Sequence, residues 1–201
     1  MIVLVNLPTQ ISSMTKPKVI SDVDSLVAEI TASYPARNGI VSIDGFCGSG
    51  KTTLCGQLCP KLSAVHIEVD RFLDRNQGTY VSFLRYGELK KELTEALTQN
   101  VPVLVEGVCL RQILERIGVQ DCMSIYVKRV SAGGWCDGSV VQLYSSAEEA
   151  IAREEASLLE FAKLLAEPPT QLPASQRELI EYHFAFRPHE RAQVIFINQF
   201  H

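Results

Sequence analysis

The stretch from Ile40 to Leu54, IVSIDGFCGSGKTTL, constrains this chain more than any other. An apolar run enters a cluster of glycines that closes on Gly50, Lys51, Thr52 and Thr53. Residues Gly45, Phe46, Cys47, Gly48, Ser49, Gly50, Lys51 and Thr52 satisfy G-x-x-x-x-G-K-[ST], the phosphate-binding loop or Walker A pattern, at every fixed position. The chemistry needs these residue types. Glycines let successive backbone N–H groups curl around phosphate oxygens, which side chains would obstruct. The following helix adds further donors and a favourable dipole at its N-terminus. Lys51 brings a positive charge to the β and γ phosphates, the Thr52 hydroxyl can ligate Mg²⁺, and Thr53 completes the nucleotide-binding set. The expectation is a nucleoside triphosphate site.

The rest of the pattern supplies the setting for that loop. A capping box with Ser21 as N-cap and Asp24 at N3 opens a helix striped by Val23, Leu26, Val27, Ile30 and Tyr34, ended by Pro35 and Gly39. Apolar runs at 40–43, 65–69, 101–105, 123–127 and 194–197 read as buried strands. Helical patterns fall between them: through Leu54, Leu58 and Leu62, over 88–99 and over 110–117. Two more run from the overlapping caps Ser145 and Ser146 to about Ala166, broken by Glu167, Pro168 and Pro169, and from about Ser175 toward Phe184. Strands that alternate with helices predict an α/β fold: a parallel sheet with helices on both faces. Ligands of such sheets sit at the carboxyl ends of strands, which singles out Asp44-Gly45, Asp70 and Glu106.

Length and composition narrow the class. The 201 residues suit one domain, with 1–20 as an N-terminal extension and about 145–170 as a lid-like helical region. A net charge of −4 offers no global field toward nucleic acid, and no apolar run approaches a membrane span. The start MIVLVNLPTQISSM has no basic region and reads as a short strand and then a loop, not a signal peptide. The six cysteines form no C-x-x-C pair, and Cys55 and Cys59 read as small core residues. Free thiols without a signal imply the cytosol. GTPase elements N-K-x-D and D-x-x-G are missing, as is L-S-G-G-Q, which leaves a small-molecule kinase as the best fit to this length.

From about Asp22 onward the order of motifs resembles the uridine kinase family of P-loop kinases. The pieces are the loop with its strand, then HIEVDRF at 66–72, VPVLVEGV at 101–108, SIYVK at 124–128 and EYHFAFRPHERAQVIF at 181–196. The resemblance implies ATP and Mg²⁺, a small-molecule phosphate acceptor and a homo-oligomer. It implies that Glu106 supports Mg²⁺ together with Thr52. The chemistry of Asp70 agrees with its implied role: a carboxylate there can accept the acceptor hydroxyl's proton or hold it in line. The competing structural roles are a helix N-cap for Asp70 and a charge pair for Glu106, with Arg71 as the nearest partner in sequence.

Two departures bear on activity. The family carries an arginine-rich lid after the fourth strand. Here the matching helix reads AIAREEASLL, with Arg153 as its one arginine and catalytic cation; Lys128 and Arg129 can assist or be solvated surface charges. Ala192-Gln193 stands where the family tends to have Ala-Asp, a position expected at the base-binding end. Phe72, Tyr80, Phe83 and Tyr86 can stack on an acceptor or pack in the core. His183, Arg187 and His189 form a polar cluster near the end, and Trp135 reads as an interface or lid residue. The expected function is γ-phosphoryl transfer to a hydroxyl of a small metabolite, a nucleoside such as uridine first. The alternatives are a pantothenate-like or sugar-phosphate acceptor, or a nucleotide-binding regulatory module without transfer.

Overall fold

The computed structural model of this chain describes residues 16–34, 39–74, 78–166, 168 and 171–199. The strand and loop expected over residues 1–14, and the helix stops expected at Pro35, Glu167 and Pro169, lie outside them.

The order begins with β1 (Lys18–Ile20), α1 (Val23–Ser33), β2 (Gly39–Asp44) and α2 (Lys51–Leu62). After β3 (Val65–Glu68) comes a 3₁₀ turn over Val69–Phe72, then α3 (Tyr86–Leu97), β4 (Pro102–Glu106) and α4 (Leu110–Arg116). The remainder is β5 (Met123–Ser131), β6 (Gly134–Trp135), α5 (Ser139–Gln142), α6 (Ala147–Leu165), α7 (Ala174–Phe186), α8 (Pro188–Arg191) and β7 (Val194–Gln199). The sheet order is β1-β7-β5-β2-β4-β3, all parallel, with β6 antiparallel on β5. The α/β fold expected from the alternating pattern is present.

Burial on both faces explains the apolar runs. Val41, Ile43, Leu104, Ile125, Val127 and Val194 point to one face, where Leu26 and Ile30 of α1 and Leu54, Cys55 and Leu58 of α2 cover them. Ile40, Val103, Val105, Tyr126 and Ile195 point to the other, under α3, α4 and α7. A smaller cluster of Ala150, Ile151, Leu172 and Ile180 joins α6 to α7.

Strand order fixes where a ligand can sit. From β2 the chain runs out to β3, returns to β4 beside β2, then crosses to β5 on the other side of β2. The carboxyl end of β2 is therefore a topological switch point, where the flanking connections diverge and leave a crevice. The glycine loop opens into it.

Several boundaries differ from the sequence reading. The extension assigned to 1–20 includes β1, whose Lys18, Val19 and Ile20 pair with Val194, Ile195 and Phe196. Asp22, not Ser21, caps α1: its carboxylate accepts the Ser25 N–H at 2.7 Å. A charged acceptor suits the positive end of a helix better than a hydroxyl does. β5 continues through Lys128 and Arg129 to Ser131, beyond the strand expected over 123–127, and folds back as β6. Lys128 hid this extension by breaking the apolar run; its Nζ lies 4.3 Å over the Trp135 ring, so the charge caps a packed face. Trp135 is accordingly packed against Phe46 and Tyr126. Helix α6 falls inside the expected lid region and ends at Leu165, with Ala166 at φ 55° as its cap, before Pro168 is reached. No helix among the described residues is long and apolar enough to cross a membrane.

Candidate active site

Contacts that only glycine permits shape the loop from Gly45 to Gly50. A Cβ on Gly45 would lie 2.8 Å from both Ser49 Oγ and the Val127 carbonyl oxygen. Gly50 has φ +96°, and a Cβ there would lie 2.3 Å from Asn198 Nδ2. That amide belongs to β7 and donates to the Ser49 carbonyl at 2.8 Å, tying the loop to the sheet. Ser49 is buried and its Oγ has no hydrogen-bond partner. Lys51 starts α2 and is only 8% exposed; its Nζ donates to the carbonyls of Gly45 at 3.2 Å and Phe46 at 2.9 Å. Those carbonyls hold the ammonium inside the loop, where phosphate oxygens are the stronger partners. Cys47, Thr52 and Thr53 are exposed, and the Cys47 Sγ lies 3.1 Å from the Tyr80 hydroxyl.

The ends of β3 and β4 bring the two expected carboxylates alongside. Glu106 is in register with Ile43 of β2 on one side and Glu68 of β3 on the other. The Thr52 hydroxyl donates to Glu106 Oε1 at 2.7 Å, across 54 residues of sequence. His66 Nε2 lies 3.7 Å from the same oxygen, an ion-pair distance beyond hydrogen-bond length. Burial pushes the Glu106 carboxyl up, and His66, the Thr52 hydroxyl and the Lys51 charge more than offset it, holding it below its usual range. Arg71, the partner weighed from sequence, instead faces Glu92 at 3.4 Å. A hydroxyl and an ionised carboxylate oxygen in contact are the donor set that Mg²⁺ takes from proteins when phosphates and water complete its shell.

Asp70 sits on the 3₁₀ turn at the rim, exposed, not at a helix N-cap, which is Glu68. Partial burial raises its carboxyl, Lys51 opposes this, and Glu106 and Glu68 reinforce it; the net direction is upward. A raised carboxylate is a better proton acceptor near neutral pH.

Asp44, noted in the sequence only as a strand end, is a buried anchor. Its oxygens accept the Gly45 N–H at 2.7 Å and the Tyr182 hydroxyl of α7. Burial pushes it up to about 6, against Tyr182, Gly45 and Lys51. His183, beside Tyr182, is wholly buried and stacks on Phe46 at 4.0 Å and 10°. Its Nδ1 donates to the Leu179 carbonyl at 2.7 Å, so its Nε2 accepts the Tyr126 hydroxyl at 2.8 Å. Burial holds this neutral imidazole at about 3. The polar cluster expected at the chain's end is thus divided: His183 and His189 pack inside, while Arg187 pairs with Glu190 at 3.4 Å on the surface.

The two arginines stand at different distances from the loop. Arg153 is exposed on α6, where its charge acts on Glu149. Arg129, at the end of β5, reaches the loop: its Nη1 lies 3.6 Å from where a Cβ of Gly48 would be, and its Nη2 pairs with Asp137 at 2.9 Å. Gln193 is not at the loop end of the sheet. It precedes β7 at the amino ends of the strands, exchanging hydrogen bonds with Ser124 at 2.7 and 3.1 Å. A cavity of about 560 Å³ opens there, between α4 and α8, and reaches Asp44 at the end of β2.

A second cavity, about 390 Å³, adjoins the loop itself at Phe46 and Cys47. Tyr80, the segment around Asp137 and one side of α7 enclose it. Glu178 of α7 fixes the Tyr80 wall by accepting the N–H groups of Tyr80 and Val81. Of the other aromatics, Phe72 is core, Phe83 is 40% exposed, and Tyr86 lies under Arg116 at 4.6 Å with its hydroxyl donated to the Val81 carbonyl.

No protein-family model matches the chain, and no curated protein matches it. Among solved structures it is similar to one described as a possible uridine kinase from Bacillus stearothermophilus. The identity is 16% and the TM-score 0.47, over 87% of this chain and 96% of that one. The P-loop α/β fold stated above rests on the strand order and on the strand–loop–helix geometry themselves.

Proposed function

We propose that this chain is an ATP-dependent, Mg²⁺-requiring phosphotransferase that moves the γ-phosphoryl group to a hydroxyl of a small metabolite, a nucleoside such as uridine first. One observation carries the reading. Lys51, the Thr52–Glu106 pair and Asp70 share one electrostatic neighbourhood at the switch point of the sheet. A site for holding phosphates needs the first three; a carboxylate at the rim is what transfer adds. The order of motifs, which resembles the uridine kinase family, supports the nucleoside.

In this reading the loop amides and Lys51 hold the phosphates, and Thr52 and Glu106 hold Mg²⁺, which when bound neutralises charge on the phosphate oxygens. The cavity at Phe46, Cys47 and Tyr80 receives the acceptor. Asp70 takes the hydroxyl proton as the acceptor oxygen bonds to the γ-phosphorus. The bond to the β,γ-bridging oxygen breaks, and ADP leaves with its electron pair. Arg129 beside Gly48 meets the charge that develops on the phosphoryl oxygens, with Arg153 on the lid helix as a second cation.

The test is the Asp70→Asn variant against a panel of hydroxylated acceptors with ATP. It is expected to bind ATP as the parent does and to transfer nothing measurable. Full activity in that variant removes Asp70 from the chemistry, and ATP binding without any phosphorylated product in the parent leaves a regulatory module.

A further inference from the structure

We infer that Asp137 selects the acceptor, and that the acceptor is an uncharged or cationic molecule presenting a hydrogen-bond donor, not a carboxylated or phosphorylated one. This rests on the phosphotransferase reading and deepens it. The cavity beside the loop is walled by apolar groups such as Val140, Leu179 and Ile180 and by polar neutral ones such as Ser139, Ser175 and Gln176. Among the described residues, Asp137 is the one charged residue along it, and no described Lys, Arg or His lines it. An anionic acceptor would surrender its hydration with no lining cation among the described residues to replace it, beside a carboxylate whose one cation, Arg129, is already paired.

The state of Asp137 points the same way. Its Oδ1 accepts Arg129 Nη2 at 2.9 Å, while its Oδ2 is shielded from water and has no hydrogen-bond partner. An ionised carboxylate accepts at both oxygens, and a buried unpaired one is costly to leave so. A hydroxyl or amine entering the cavity answers that need once the side chain turns this oxygen toward it. The other end of the same guanidinium faces Gly48, where phosphates would lie. Asp137 therefore reads the acceptor with one oxygen and steadies the phosphate-side cation with the other.

The experiment measures ATP-dependent transfer by the full chain to matched acceptors that differ in one anionic group: uridine against orotidine, pantothenol against pantothenate, and ribose against ribose 5-phosphate. The parent is expected to favour the non-anionic member of its preferred pair by about 100-fold in kcat/KM. Asp137→Asn should raise the acceptor KM about tenfold or more and narrow the ratio within the pair. Asp137→Lys should shift the preference toward the anionic member. A parent preference for anionic acceptors, or an unchanged ratio in both variants, overturns the role of Asp137 alone. Absence of transfer to every acceptor overturns the phosphotransferase reading, and the role of Asp137 with it.

Discussion

Replacing Gly50 by alanine asks whether the last strand of the sheet holds the glycine loop in shape. At Gly50 φ is +96°, and a Cβ would lie 2.3 Å from Asn198 Nδ2 and 3.3 Å from its Cγ. Two costs follow. A side chain in left-handed backbone costs about 1–2 kcal/mol. The Asn198 amide must also withdraw, breaking its 2.8 Å bond to the Ser49 carbonyl, a further loss of about 1 kcal/mol. The variant should therefore be less stable by about 2–3 kcal/mol. Asn198→Ala alone loses only the hydrogen bond, about 1 kcal/mol. It also removes the atoms that the new Cβ would meet. The double variant should then beat the sum of the single losses by about 1 kcal/mol, because the same bond is broken in both. Urea unfolding of the four proteins, followed by Trp135 fluorescence and compared at a common m value, reads this directly. Gly50→Ala within about 0.5 kcal/mol of the parent, or strict additivity, refutes the clamp.

Other predictions concern charge. Burial holds His183 at about 3 and His189 at about 4, both below the ordinary 6.5, so each protonates only when the chain unfolds over that window. The stability they contribute is present above about pH 6.5 and is lost as pH falls toward those values, each with a slope of about 1.4 kcal/mol per pH unit. Asp44, raised to about 6, acts in the opposite sense, with stability lost as pH rises from 3.8 through 6. Urea melts between pH 4 and 6 should show stability rising with pH, and His183→Gln should reduce that slope by about one proton; an unchanged slope places the titration elsewhere. Glu106→Gln should lower Mg²⁺ affinity about 10–100-fold in metal titrations, with Lys51→Ala as the variant that loses ATP itself; unaltered metal dependence removes Glu106 from the metal site. Arg129→Met should reduce kcat about 100-fold or more, a larger loss than Arg153→Met gives; the reverse order would place the catalytic cation on α6.

The sequence by itself determined the loop and its setting. A G-x-x-x-x-G-K-T run between an apolar strand and a helix is a local requirement of the backbone, so it is legible without any partner. Asp70 and Glu106 were legible for a related reason: parallel strands buried on both faces read as apolar runs, and a carboxylate at the end of such a run stands out. What those residues touch was decided by the order of the strands. Thr52 meets Glu106 because β4 lies beside β2. Asn198 clamps Ser49 because β7 lies one strand beyond β5, which flanks β2, although 149 residues separate the pair. Asp44 acquires Tyr182 only because α7 covers that face. Local pattern also misled where one side chain served two ends. Lys128 reads by sequence as an assisting cation or a surface charge and is a cap on Trp135 in the fold; Arg129 beside it reads the same way and bridges Asp137 to the glycine loop. Long side chains place their charge far from their backbone, and only tertiary packing decides where that charge arrives.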